Sequence, residues 1–175
     1  MSQRENTPVL DQPWRDRAGF CGVEVLDQPS GPIALTQRAH LRALAVRIKI
    51  VHDLLAAFAD EHTPFPVELL AAQTRELVAV RLLLERYAAG DPGTHLAPGV
   101  FADPAARRDY ERLLSLGRSG RSAALHVIAA ALRETVEILE PMLPGLRAPD
   151  VRNVYFQLAA SSRRQLRIVQ AWSDR

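Results

Sequence analysis

The chain is predicted to fold as an all-α bundle of four long helices, with a short crossover helix between the second and the third. Three observations lead there. Over four separate stretches apolar residues recur at alternating spacings of three and four, which places them on one face of a helix. Proline and glycine cluster between those stretches, where helices must stop. No alternating strand pattern follows residue 35.

Residues 1–35 hold Pro8, Pro13, Pro29 and Pro32 with three glycines, so no useful helix is expected there. This part reads as an extended N-terminal arm, separate from the bundle at 36–175, with Gly19–Leu26 (GFCGVEVL) as a short strand-like piece or part of a disordered tail. Thr36 is the expected N-cap of the first long helix, whose inner line is Leu41, Leu44, Ile48, Val51, Leu55 and Phe58. Arg42, Lys49, Asp53 and Asp60 fall off that line and are expected in solvent. The helix must end before Pro64, and Pro66 suits the first position of the second helix, which runs to about Ala89 with Gly90 as its left-handed stop.

The connection that follows is too long for a simple hairpin. It carries its own short helix, with Asp103 as cap, Pro104 at the first position, Tyr110, Leu113 and Leu114 as the docking set, and Gly117 at the end. The third long helix covers about Ser122 to Leu139, with Leu125, Ile128, Leu132, Thr135 or Val136, and Leu139 inside. Pro141, Pro144 and Gly145 mark a turn. Pro149 and Asp150 open the fourth helix, whose inner line is Val151, Val154 or Tyr155, Leu158, Ser162, Gln165, Val169 and Trp172.

Composition narrows the function classes. Twenty-two basic against 20 acidic residues give a net charge of +2, too small for a protein whose partner is nucleic acid. The single Cys21 excludes an internal disulfide and a cysteine-cluster zinc site, and no oxidising compartment is implied. The polar opening stretch carries no signal-peptide pattern, and no long charge-free apolar run suggests a membrane span, so a cytoplasmic location is the expectation.

The conflict in this pattern lies on the second helix. In Leu69–Tyr87 (LLAAQTRELVAVRLLLERY) the inner stripe through Val80, Leu84 and Tyr87 leads back to Glu76 or Leu77 and then to Gln73. Gln73 and Glu76 therefore face inward together at i, i+3. Ser162 and Gln165 repeat that spacing on the fourth helix. A bundle that presents Glu-x-x-His to a core metal uses the same geometry, but the residue types here differ.

With these residues laid out, the chain resembles a ferritin-like family of unknown function in bacteria and archaea. Its members hold metal-ligand carboxylates and histidines inside a four-helix bundle. The resemblance covers about Thr36 to Trp172. It rests on VRLLLERY with the following GDPG, on GVFADPAARRDYERLLSLG, and on DVRNVYFQLAASSRRQLR, in that order and spacing. Carried across, the family's first-helix Glu falls on Ile48 and its Glu-x-x-His on Gln73 and Glu76. The third-helix Glu falls at or beside Leu132, and the fourth-helix His on Gln165, while Ser162 and Leu166 match the family pattern. The resemblance thus implies a lost dinuclear site: no metal and no other cofactor is expected, because one Glu among two amides, Ile and Leu cannot replace the missing ligands.

Two readings of the inner polar residues stand side by side. In one, Glu76 is an acid or base with a raised pKa, acting on a small organic molecule in the former metal cavity. Gln73, Gln165 and Ser162 orient that molecule, with Thr135 and His52 at the margin. This is the expected function, an acid/base enzyme of specialised metabolism being the form that suits it. In the other, Gln73, Glu76, Ser162, Gln165 and Thr135 bond one another and fix helix register, as in a non-catalytic interaction or scaffold protein. A residual di-metal oxidase or iron-handling protein is a third alternative. His52 is read as a proton shuttle or a boundary histidine, and the arm together with the resemblance suggests a homodimer. Glu134, Glu137, His126 and the Arg163, Arg164, Arg167 cluster are expected on the surface.

Overall fold

The computed structural model describes residues 27–175. Cys21 and the Gly19–Leu26 segment lie outside the described residues. Five α-helices follow one another: α1 (Leu35–Glu61), α2 (Glu68–Arg86), α3 (Pro104–Gly117), α4 (Arg121–Leu139) and α5 (Pro149–Ser173), with a 3₁₀ turn at Glu140–Gly145 between the last two. Among the described residues there is no strand. No described helix is long and apolar enough to cross a membrane.

The helix limits follow local chemistry. Asp103 caps α3 as expected, its carboxylate accepting from the N–H groups of Ala105 at 3.3 Å and Ala106 at 3.0 Å, and Pro104 takes the first position. Two expectations shift. Helix α1 starts one residue before Thr36, because Gln37 Oε1 reaches back to accept the Ala34 N–H at 2.9 Å and so satisfies the helix entry without a hydroxyl cap. Helix α2 begins at Glu68 after a turn at Pro66 and Val67, and ends at Arg86. The chain then turns through Ala88 at φ 48° and Gly90 at φ 70°.

Helix α1 packs on α2 and α4, and α5 packs on α4 and α2, while α3 lies across α1 and α4. The predicted inner lines are buried at Leu41, Leu44, Ile48, Val51, Leu55 and Phe58 on α1, Leu125, Ile128, Leu132 and Leu139 on α4, and Val151, Val154, Leu158 and Val169 on α5, while Tyr87 and Trp172 at the ends of their lines are half-buried. The core is nevertheless two apolar clusters rather than one. The first gathers Leu41, Leu44, Ile48, Val80, Leu84, Leu139, Val154 and Leu158. The second gathers Val51, Leu55, Phe58, Leu69, Leu125, Ile128, Leu132 and Val169. On α2, Gln73 and Glu76 separate the two sets. On α5 the separators are Ser161, Ser162 and Gln165, and on α4 it is Thr135.

The segment ahead of α1 is tied to the far ends of α2 and α5. Arg86 donates to the Gln28 carbonyl at 2.8 Å, and the Asp150 N–H donates to the Pro29 carbonyl at 3.3 Å. Tyr87 Oη donates to Asp150 Oδ1 at 2.6 Å and accepts the Gly31 N–H at 3.1 Å. A Cβ on Gly31 would stand 2.9 Å from the Ala148 Cα, so the close approach of this segment to α5 requires glycine there.

Lys49 and Asp53 correct an expectation. Both are buried, at 4% exposure each, rather than solvated. The connection from α2 to α3 folds back over that face of α1. Lys49 pairs with Asp53, donates to the Ala97 carbonyl at 3.1 Å and stands 4.8 Å over the Phe101 ring, while Asp53 Oδ2 accepts the Gly99 N–H at 2.9 Å. Periodicity along one helix cannot register a cover supplied by a loop some 50 residues later.

Two predictions follow from this packing. A Cβ on Gly117 would lie 2.1 Å from Phe58 Cζ. Gly117→Ala therefore overpacks the α1–α3 contact and should lower unfolding stability by about 1–3 kcal/mol in a denaturant titration, with a smaller loss in a Phe58→Leu background. Asp53→Leu leaves the Lys49 ammonium buried without its counter-charge. It should cost about 3–5 kcal/mol, whereas Lys49→Met combined with Asp53→Leu should recover most of that loss.

Candidate functional site

The candidate site is the polar layer between the two apolar clusters. It forms because α2 and α5 run side by side in opposite directions, so that Tyr87 meets Asp150 at one end and Gln73 meets Gln165 about four turns away. On α2 the i, i+3 spacing turns Gln73 and Glu76 to the same neighbour. On α5 the neighbours are one turn apart, at 161 and 165, with Ser162 beside them.

Glu76 is 1% exposed and both of its carboxylate oxygens are engaged. Gln165 Nε2 donates to Oε1 at 2.6 Å, and Gln73 Nε2 donates to Oε2 at 3.0 Å. The two amides also join each other, Gln73 Nε2 to Gln165 Oε1 at 3.1 Å. Ser161 Oγ accepts from Gln165 Nε2 at 3.2 Å and directs its own proton to Glu76. Removal from water pushes the Glu76 carboxyl up to about 7. The hydrogen bonds from Ser161, Gln165 and Gln73, together with the positive Arg164, favour the anion without offsetting that burial. The group is therefore poised to change charge near neutrality.

Two polar atoms of the layer remain without a partner among the described residues. Gln73 Oε1 and Ser162 Oγ are buried and make no hydrogen bond. A buried acceptor with no donor costs about 1–3 kcal/mol, so the layer has unused acceptor capacity beside its carboxyl group.

Of the six residues singled out from the sequence, four share this layer: Gln73, Glu76, Ser162 and Gln165. The other two make their hydrogen bonds elsewhere. Thr135 is buried, yet its hydroxyl donates to the Ala131 carbonyl at 2.8 Å and accepts from Arg47 Nε at 3.0 Å. His52 is half-buried and its Nδ1 lies 3.0 Å from Asp53 Oδ1, within the Lys49 cluster. Burial would raise the Asp53 pKa, but the hydrogen bonds from His52, Lys49 and the Gly99 N–H, with the Lys49 charge, hold it below the usual carboxylate range. Ser161 was not anticipated. Its i, i+4 relation to Gln165 was legible, but the inner line drawn through Ser162 left no reason to turn both serines inward. Glu134, Glu137, His126, Arg163, Arg164 and Arg167 are exposed as expected.

Ile48 and Leu132 face the interior with apolar side chains and belong to opposite clusters. Among the described residues no group of three or more His, Cys, Asp or Glu side chains converges as a metal site would require.

The chain is similar to "Uncharacterized protein MJ0754" of Methanocaldococcus jannaschii, 25% identical over 140 residues, spanning 79% of this chain and 76% of the relative. Its fold matches the crystal structure of hypothetical protein MJ0754 with a TM-score of 0.78 at 23% identity, covering 83% of this chain and 84% of that one. The family model described as "Uncharacterized protein domain (DUF2202)" matches residues 49–172, from the middle of α1 to the last turn of α5. With more than half of its length inside that match, the chain belongs to the DUF2202 family.

Proposed function

We propose that this protein is a ferritin-like bundle that works without a resident metal. In this reading its central polar layer binds a small organic molecule and exchanges a proton with it through Glu76. The observation that carries the reading is a fully buried carboxyl group with a pKa of about 7 set beside an unpartnered Gln73 carbonyl oxygen. A ligand suited to that surface brings an N–H or O–H donor for the Gln73 carbonyl oxygen, while the free Ser162 hydroxyl can accept or donate. Protonated Glu76 would give such a molecule its proton, and ionised Glu76 would receive one, with Gln165 and Ser161 stabilising the anion in either direction.

The donor set argues against a di-metal centre in this layer. Hard dications take about six oxygen or nitrogen ligands with several carboxylates among them. Here one carboxylate stands with two amides and two hydroxyls, while Ile48 and Leu132 contribute no donor atom.

A second reading is favoured by one specific feature: both Glu76 oxygens already receive glutamine N–H groups from within the chain. A closed network of this kind can serve only to fix the register of α2 against α5. Behaviour toward ligands and pH separates the two.

Titration of ¹³C-labelled glutamate by NMR should show one carboxyl, absent in Glu76→Gln, with a midpoint near 7. A midpoint in the ordinary range near 4.5 would remove the acid/base role. Addition of 2-aminopyridine, whose protonated form presents paired N–H donors to a carboxylate, should shift that resonance saturably in the wild type at fixed pH. The same compound should leave the Glu76→Gln protein unchanged. No response to 2-aminopyridine or to other small N–H donors would favour the register network.

The same shift sets a stability profile. The folded carboxyl binds its proton more tightly than the unfolded one, so the burial penalty is absent below about pH 4.5, grows as pH rises, and is complete above about pH 7. Relative to Glu76→Gln, the wild type should lose about 3 kcal/mol of unfolding stability across that window. Chemical denaturation at four or five pH values would measure it.

A further inference from the structure

We propose a second small-molecule site, independent of Glu76: an open-mouthed cleft between α1, α4 and α5 that takes an uncharged, ring-sized apolar molecule carrying one oxygen acceptor, with Tyr155 donating to that oxygen. The cleft has a volume of about 160 Å³, and its walls include His40, Leu44 and Arg47 from α1, Ile138 and Leu139 from α4, Met142 from the 3₁₀ turn, and Tyr155 from α5. An apolar cavity of about 150 Å³ is large enough to hold benzene, which sets the size of the guest.

The polar requirement comes from Tyr155. Its side chain is 1% exposed, and its hydroxyl makes no hydrogen bond among the described residues. Burial alone pushes that phenol up to about 12, so it remains a donor throughout the physiological range. Buried tyrosine hydroxyls are ordinarily paired, and the imidazole in the lining, His40, is exposed and does not bond this one. An acceptor oxygen on a bound molecule satisfies the buried Tyr155 hydroxyl.

Charge favours a neutral guest over an anion. Arg47 and the exposed His40 are the basic side chains of the lining, and Arg47 already has a counter-charge, with Nε on Thr135 Oγ1 at 3.0 Å and Nη2 on the Ala131 carbonyl at 2.9 Å and Glu134 Oε2 at 2.8 Å. A carboxylate guest would compete with Glu134 for Arg47, whereas a ketone or an ether oxygen meets the Tyr155 hydroxyl without disturbing that pair.

The test uses cyclohexanone as the probe and benzene as the same-sized guest without an acceptor, followed by backbone amide shifts in the full chain. Cyclohexanone should bind with a Kd of about 1 mM, moving amides of α1, α4 and α5 around Leu44, Leu139 and Tyr155. Tyr155→Phe, which removes a hydroxyl that bonds nothing in the fold, should weaken cyclohexanone about fivefold and leave benzene unchanged. Ile138→Trp, at a position that is 41% exposed and free to accept bulk, should close the mouth and weaken both guests more than tenfold. The proposal is overturned by any of three results: no saturable cyclohexanone shift below about 20 mM, equal losses of the two guests in Tyr155→Phe, or undiminished binding in Ile138→Trp.

Discussion

One constraint governs the interior: a carboxyl group placed where the helices would otherwise meet through hydrocarbon. Glu76 is supported there by amide donors from its own helix and from α5, and those amides are in turn committed to it. The arrangement is costly, since burial of an acid in an apolar surrounding favours its neutral form. Its structural consequence is a core in two parts, with Leu158 and Val80 on one side of the layer and Leu69 and Val169 on the other.

The same layer restricts how α2 and α5 can sit. An apolar seam tolerates sliding because one leucine contact resembles the next, but a hydrogen bond of 2.6 Å between Gln165 and Glu76 does not survive a shift of one residue. At the other end the Tyr87–Asp150 hydrogen bond performs the same task, with Arg86 paired to the second Asp150 oxygen at 3.3 Å. Register and chemistry are thus set by the same few side chains. A protein that needs a titrating group near neutrality in a fixed place obtains both from that one arrangement.

A contrasting polar cluster lies beneath the α2–α3 connection. Asp53 is held ionised by Lys49, His52 and the Gly99 N–H, so it is the opposite of Glu76 in charge state although both are buried. The difference is the partner: a full positive charge in one place, neutral amides in the other. Lys49 and Asp53 tie the connection to α1, and Gly117 lets α3 rest directly on the Phe58 ring.

Much of this was legible in the chain alone. The 3-4 spacing located the long helices to within a few residues, because a buried helical face must repeat with the helical turn. The Asp103-Pro104 start of α3 and the inward placement of Gln73, Glu76, Ser162 and Gln165 follow from the same local geometry. What the chain could not disclose is which surfaces meet. Lys49 and Asp53 sit on the face that periodicity assigns to water, and only the folded-back connection buries them. Thr135 points inward as expected yet bonds Arg47 rather than Glu76, and Ser161 rather than Ser162 completes the glutamine pair. Helical period determines which way a side chain points; the partner it finds depends on how neighbouring helices are offset along their axes, and that offset is a property of the assembled core.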